Sequence, residues 1–391
     1  MLVLSFSCVP NTKLHLKAPT EIDFKLSGNW IFINLKLNQT DSLKFIIDSG
    51  VDETIINTRT AKLLKYKFDK KGSFSGALKT DSVYYSENNT IFIGNLKLDS
   101  LILVQIPLEN LEETFGVTID GFIGEALFKK YIVNIDFVRE KIQLYKDSID
   151  FEQKDSLFPI DFNIINKCPV INTSFILYNN DSMLGNFMID LGYRNAIAFN
   201  NPFIKKNKLL SKLEKFYTFN ATGVIGAEKS YKTRMKTLKF GKQQMDSIPY
   251  MLSLSDEGTL SSNDYDGIIG MDILTRFASI GIDYKNNKMY LGKYIYKSDS
   301  IYSEVNCSGI ELKKIIGTSK VIINAVYENS PASEVGLKEG DELIAIKGIE
   351  VNNYELTEIK KILRLKGKKI DLNVKRANKI LLFKINLREL I

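Results

Sequence analysis

The chain has 391 residues, with 53 Lys and Arg against 46 Asp and Glu (net charge +7), 44% hydrophobic and 25% charged residues. That length implies two or three domains with ample apolar material for cores, and only 24 Gly and 8 Pro exclude collagen-like, disordered and linker-dominated chains. A single histidine, His15, leaves almost no room for Ser-His or Cys-His nucleophiles or a histidine-rich metal site, so the chemistry is expected to rest on carboxylates, without metal or other cofactor.

In chain order, Met1 to Pro10 reads as the end of a secretory apolar region holding Cys8, followed by a polar tether at Asn11, Thr12 and Lys13. It resembles a truncated bacterial lipoprotein signal, which implies an acylated Cys8, possible membrane anchoring through it, and a periplasmic or cell-envelope location. Residues 1–22 are accordingly assigned to signal and tether. No run reaches the ~18 apolar residues of a membrane-spanning helix. Cys8, Cys168 and Cys307 are too few and too far apart for a disulfide framework, and the last two are expected to be buried thiols.

The next two segments, 23–150 and 151–297, repeat each other. Leu43 to Ile47 runs into Asp48-Ser49-Gly50, Asp120-Gly121-Phe122-Ile123-Gly124 follows, and Tyr131 to Asp136 closes the unit. Asn186 to Ile189 runs into Asp190-Leu191-Gly192, then come Asp266-Gly267-Ile268-Ile269-Gly270 and Ala278 to Asp283. The three landmarks recur 142, 146 and 147 positions later, which points to a duplication. Short β-branched and aromatic runs (Trp30 to Leu37, Thr90 to Ile93, Ile132 to Phe137, Val170 to Leu177, Lys288 to Leu291) make both halves mostly β. One short helix is expected after each Ile-Gly, over Glu125 to Tyr131 and Met271 to Phe277.

An apolar strand ending in Asp, a small residue and Gly sets a carboxylate on a tight turn whose amides approach its oxygens. Two such loops facing each other bring two carboxyls close, where one proton is shared and the apparent pKa values split. The ionised member then takes a proton from water and the protonated one donates to a carbonyl oxygen. Asp136 and Asp283 are expected only to end strands.

These residues resemble retropepsin-like and two-lobed pepsin-type aspartic proteases: Phe45 to Ile56 looks like the active-site loop, and Gly121 to Gly124 and Gly267 to Gly270 look like the second signature beside it. The resemblance implies a mainly β, two-lobed aspartic-protease-like fold with catalytic Asp48 and Asp190. It makes Ser49 the hydroxyl that ties the loops and Gly50, Gly192, Gly124 and Gly270 loop supports. Leu191 stands where the second hydroxyl belongs, and Tyr193 and Arg194 replace small residues, altering access or docking on the partner lobe. Hairpins closing over the substrate are expected at Gly72 to Tyr85 and Ala221 to Tyr231, with Gly76, Gly223 and Gly226 as their bending points.

After Gly292 the polar stretch Ser298 to Asn306 leads into a third unit, 298–391. Asn329 to Gly348 resembles the core of a bacterial PDZ domain, an α+β module, with a helix starting at Ser330-Pro331 and Gly340-Asp341 turning into a buried strand. The resemblance implies peptide capture by strand addition, with Ser308, Gly309 and Ile310 as the carboxylate loop, Ile310 to Lys314 (including Leu312) as the docking edge, and Glu355 to Leu365 as the helical wall. Between Ile359 and Arg388 lie 11 Lys or Arg and one acid, Asp371; a solvated face is expected, the alternative being contact with anionic lipid or a C-terminus, and with Phe383 the only aromatic no nucleic acid is expected. The resulting expectation is an exported aspartic endopeptidase, monomeric because one chain supplies both Asp loops. Its substrates are peptides or unfolded proteins, and its PDZ module binds C-terminal peptide tails of substrate or partner. The alternative is a protease-fold peptide-binding scaffold made incompetent by Leu191, Tyr193 and Arg194.

Overall fold

The computed structural model describes residues 19–38, 42–146, 151, 157–296 and 305–391. Cys8 and His15, and with them the expected signal and acylation site, lie outside these residues.

Each half forms an eight-stranded sheet, and the strand orders are the same. The first runs Lys25–Ser27, Trp30–Leu37, Leu43–Ile47, Gly121–Ile123, Thr54–Asn57, Leu96–Ile106, Thr80–Ile93, Lys70–Ser75. The second runs Asn163–Ile165, Cys168–Ile176, Ser182–Ile189, Gly267–Ile269, Ile197–Phe199, Gln243–Leu252, Ala227–Phe240, Tyr217–Thr222. At the heart of each lies a parallel pair, Phe45 to Ile47 beside Gly121 to Ile123 and Phe187 to Ile189 beside Gly267 to Ile269. Strands buried on both faces need continuous apolar runs, as Phe45-Ile46-Ile47 and Phe187-Met188-Ile189 supply. The acid opening each Ile-Gly motif pins its pair: Asp120 accepts the Lys44 amide at 2.9 Å and Asp266 the Asn186 amide at 2.7 Å.

A six-stranded sheet joins the halves in the order Thr20–Asp23, Lys141–Tyr145, Ile132–Asp136, Ser279–Asp283, Lys288–Leu291, Phe158–Asp161. Its central pair comes from opposite halves, Ile135 facing Ile280, and Val133, Ile135, Ile280 and Ile282 are fully buried in a core shared by both lobes. Each such side chain contributes about 1.5–3 kcal/mol of transfer free energy, so the lobes are welded rather than hinged. Asp136 and Asp283 end strands, each accepting amides of the following turn.

Four elements differ from expectation in their bounds. The assignment of 1–22 to signal and tether gives way at Thr20, because Thr20–Asp23 pairs with Lys141–Tyr145; of its four side chains only Ile22 is buried, so no apolar alternation announced the strand. The helices after each Ile-Gly are shorter, Glu125–Phe128 and Met271–Leu274. Both end in tight turns (Lys130 N–H to Leu127 O, Phe277 N–H to Leu274 O) because the chain must swing at once into the joining sheet. The expected helix Glu355 to Leu365 spans Leu356–Ile362, with Glu355 as its N-cap in a reciprocal box with Glu358 and a tight turn from Arg364 to Lys361 closing it.

The C-terminal unit has its own sheet, Ile310–Lys314, Val321–Val326, Glu342–Ile346, Lys369–Arg376, Lys379–Asn386, and its own core around Ile323, Leu372, Val374 and Ile385. Ser330 caps the helix Pro331–Glu334, and Arg376 holds Asp341 by two hydrogen bonds of 2.6 and 2.7 Å at the turn into the buried strand. Cys168 and Cys307 are buried thiols. This unit rests on both lobes: Tyr327 stacks on Tyr217 at 4.9 Å, Glu311 accepts the Asn220 amide at 3.1 Å, and Lys360 donates to Thr114 O.

Candidate active site

Asp48 and Asp190 each follow the last residue of a central strand, and each amide bonds across its parallel pair, Asp48 N–H to Ile123 O at 2.9 Å and Asp190 N–H to Ile269 O at 3.0 Å. The matching arrangement of the two lobes brings the two ends together, so that each loop's glycine abuts the other loop's carboxyl. Within each loop the glycine amide donates back: Gly50 N–H to Asp48 Oδ1 and Gly192 N–H to Asp190 Oδ1, both at 2.7 Å, with Tyr193 N–H adding a 3.0 Å bond to Asp190. The glycines are required for close approach rather than for a left-handed backbone. A Cβ on Gly50 would stand 2.9 Å from Asp190 Cγ, and one on Gly192 would lie inside the Asp48 carboxyl. Gly124 and Gly270 likewise back onto the carbonyls of Asp48 and Tyr193, leaving no room for a side chain.

Burial, and then the neighbouring Asp190, hold Asp48 far above the ordinary carboxylate range. Burial also raises Asp190, while Asp48 and the Gly192 and Tyr193 amides oppose the rise. The two carboxyls therefore share one proton between them. Beside them, burial and a hydrogen bond to Asp52 raise Glu53 to about 7; Asp52, though burial pushes it up, is kept low by Glu53 and by Lys167. Nothing in the local sequence distinguishes Glu53 from a loop carboxylate; its neighbour Lys167 comes from the other lobe.

Ser49 ties the loops, donating to Ile189 O at 2.7 Å and accepting from Leu191 N–H at 3.1 Å. Leu191 returns nothing and is fully buried in the core. Tyr193 stays in its own lobe, its hydroxyl on Ile197 O at 3.3 Å, whereas Arg194 crosses to the first lobe, where Nε donates to Gly28 O.

Both expected hairpins are present. Gly76 N–H closes one tip on Lys79 O at 2.9 Å and Gly223 N–H closes the other on Gly226 O at 3.0 Å. The tips meet: Gly76 lies beside Ile225, Gly223 beside Leu78 and Gly226 beside Lys79. Each inserts its apolar residues into the opposite lobe's cluster, Leu78 with Met188 and Ile268, Val224 and Ile225 with Trp30 and Phe74. Under them lies a cavity of about 780 Å³ that contains both Asp carboxyls and is also walled by Ile310, Leu312 and Lys360 of the C-terminal unit. The expected peptide groove thus opens onto the cleft, a placement no local motif encodes. In the expected carboxylate loop, the Ser308 and Gly309 amides donate to Asn306 Oδ1 at 2.8 and 3.2 Å and Ile310 N–H to Ser308 Oγ at 3.0 Å.

Residues 33–126 match the family model described as aspartyl protease, and residues 322–376 the one described as PDZ domain. The second lobe, outside the first match, repeats the matched lobe strand for strand. The first lobe is thus similar to aspartyl proteases over residues 33–126, and the C-terminal unit is similar to PDZ domains over residues 322–376. Among solved structures, a retropepsin-like aspartic protease from Rickettsia conorii is 23% identical over 35% of this chain and 89% of that one, at a TM-score of 0.25. A photosystem II D1 C-terminal processing protease is 15% identical over 22% of this chain and 23% of that one, at a TM-score of 0.20. An aminopeptidase N family protein from Idiomarina loihiensis is 19% identical over 24% of this chain and 16% of that one, at a TM-score of 0.19. No curated protein matches the chain.

Proposed function

We propose that the protein is an aspartic endopeptidase in which Asp48 and Asp190 activate water between them. The observation that carries this reading is the close approach of two carboxyls, Asp48 buried and Asp190 half-buried, at the meeting point of duplicated loops. Asp190 takes a proton from water and the oxygen adds to the peptide carbonyl carbon, while Asp48 gives its proton to the carbonyl oxygen. The diol returns a proton to Asp48 as it collapses, the C–N bond breaks, and the proton on Asp190 passes to the departing nitrogen. The dyad ends as it began, with one proton and one charge.

The cleft suits an extended peptide or a segment of unfolded protein held under the two hairpin tips. The PDZ groove opening into the same cavity supports a role in holding substrate or partner tails near the cleft; a terminal carboxylate would take over the amide hydrogens that Asn306 now accepts. The apolar run before Cys8 supports export with an acyl anchor, which radiolabelled fatty-acid incorporation lost in Cys8→Ser would test.

The deciding experiment is cleavage of an unfolded protein between about pH 3 and 8. Cleavage abolished by a pepstatin-type inhibitor, by Asp48→Asn and by Asp190→Asn supports the enzyme. No cleavage anywhere in that range, with peptide binding retained, would leave a binding scaffold.

A further inference from the structure

Resting on the protease reading above, we infer that Trp30, with Asn29 and Arg194, is the positioning device that replaces the missing hydroxyl at Leu191 and fixes the loop of Asp190.

The two loops have unequal ties. Ser49 reaches across to the second lobe with both its donor and its acceptor, at 2.7 and 3.1 Å, and Leu191 cannot reciprocate. The first lobe also grips the second loop from the hairpin turn Gly28–Asn29. Trp30 Nε1–H donates to Gly192 O at 2.7 Å, and Asn29 Nδ2 donates to Arg194 O at 3.0 Å and to Asp272 Oδ1. Arg194 completes the clasp through Nε to Gly28 O. The carbonyls on both sides of Tyr193 are therefore held by one turn of the opposite lobe.

The indole suits this task because it is a donor only and is rigid. Trp30 is 3% exposed and packed edge to face on Phe115 at 4.7 Å and against the Arg194 guanidinium at 4.8 Å, which together restrict where its N–H can point. Gly192 is the residue whose α-carbon backs the Asp48 carboxyl and whose amide holds Asp190. Fixing its carbonyl fixes both.

The mirror half shows that this clasp is an elaboration of a shared feature. The second lobe's equivalent turn, closed by Ile165 and Cys168 as the first is by Ser27 and Trp30, carries Lys167 to Asp52 at 3.6 Å. Asp52 follows Asp48 by four positions, as Arg194 follows Asp190. The first loop, from which Ser49 reaches across, meets its mirror turn in a half-exposed ion pair; the second loop, which lacks a hydroxyl, meets its own in a part-buried clasp of four hydrogen bonds.

The test combines Trp30→Phe, which keeps the packing and removes the donor, with Leu191→Thr, which restores a hydroxyl at the reciprocal position. Trp30→Phe is expected to lower kcat about tenfold with KM within about twofold, and to shift the pH–rate profile as the Asp48–Asp190 spacing loosens. Hydrogen exchange of Leu191 to Arg194 should speed up about tenfold, and adding Leu191→Thr should recover most of kcat, profile and protection. Asn29→Gly, which suits the left-handed backbone there (φ 66°), serves as the second variant should Trp30→Phe fold poorly. Exchange and kcat within twofold of wild type in these variants, or losses that Leu191→Thr leaves untouched, would overturn the inference. If the wild type cleaves nothing, the protease reading fails by itself, and the exchange rates and their restoration still decide the clasp.

Discussion

The first and second Asp loops begin from the same strand end, carry the same carboxyl and donate the same glycine amide at the same 2.7 Å, yet they are held by different means. The first lobe contributes a hydroxyl from inside its loop and an indole from a neighbouring hairpin; the second contributes a leucine to the core and an exposed lysine to the rim. Duplication copied the carboxyl geometry, which is set by backbone pairing, and left the side chains that hold the lobes in register free to diverge. Symmetric chemistry here rests on an asymmetric frame.

The largest effect expected on that frame is on cleavage itself. Asp48→Asn and Asp190→Asn should each lower kcat by about a thousandfold or more, because either removes a proton donor or an acceptor from the reaction. The two should differ in stability. Asp48 has its proton held far above the ordinary range by burial and by Asp190, so the folded state binds that proton more tightly than the unfolded chain. Its favourable contribution is complete below the unfolded value of about 4 and is lost as pH rises through the folded value, at about 1.4 kcal/mol per pH unit. Thermal midpoints should therefore fall with rising pH in wild type and fall less in Asp48→Asn.

Next in size is Gly192→Ala against Gly50→Ala. The Cβ at 192 would enter the Asp48 carboxyl, whereas that at 50 meets Asp190 Cγ at 2.9 Å, so the first should cost more activity than the second. Equal losses would mean the loops give way equally and would weaken the asymmetry. Ser49→Ala leaves Ile189 O and Leu191 N–H buried without their partner, which should cost about 2–4 kcal/mol of stability by chemical denaturation. Lys167→Ala, at a pair about half exposed, should cost less than about 1 kcal/mol, and a larger loss would show that the two clasps are more alike than their burial implies.

Much of this was legible in the sequence for a physical reason. The carboxyls sit on local motifs, Asp48-Ser49-Gly50 and Asp190-Leu191-Gly192, whose repetition at a constant spacing announced both lobes and their meeting. The strand Ile310–Lys314 and the helix start at Ser330 were legible only through the resemblance of Asn329 to Gly348 to a PDZ core. What escaped depends on partners far along the chain. Trp30 reads as one more aromatic at the head of an apolar strand, because its partner is a backbone carbonyl 162 positions away. The strand Thr20–Asp23 escaped because three of its four side chains face solvent, and the PDZ groove's outlook onto the cleft because it is set by surfaces such as Tyr217 and Tyr327.

The central claim is that one proton is shared by Asp48 and Asp190, and carboxyl-carbon NMR titration of aspartate-labelled protein, assigned with Asp48→Asn and Asp190→Asn, tests it most directly. One carboxyl should stay protonated well above the usual range while its partner is ionised, and removing either should abolish the other's coupling. Two carboxyls titrating independently near pH 4 would contradict the account.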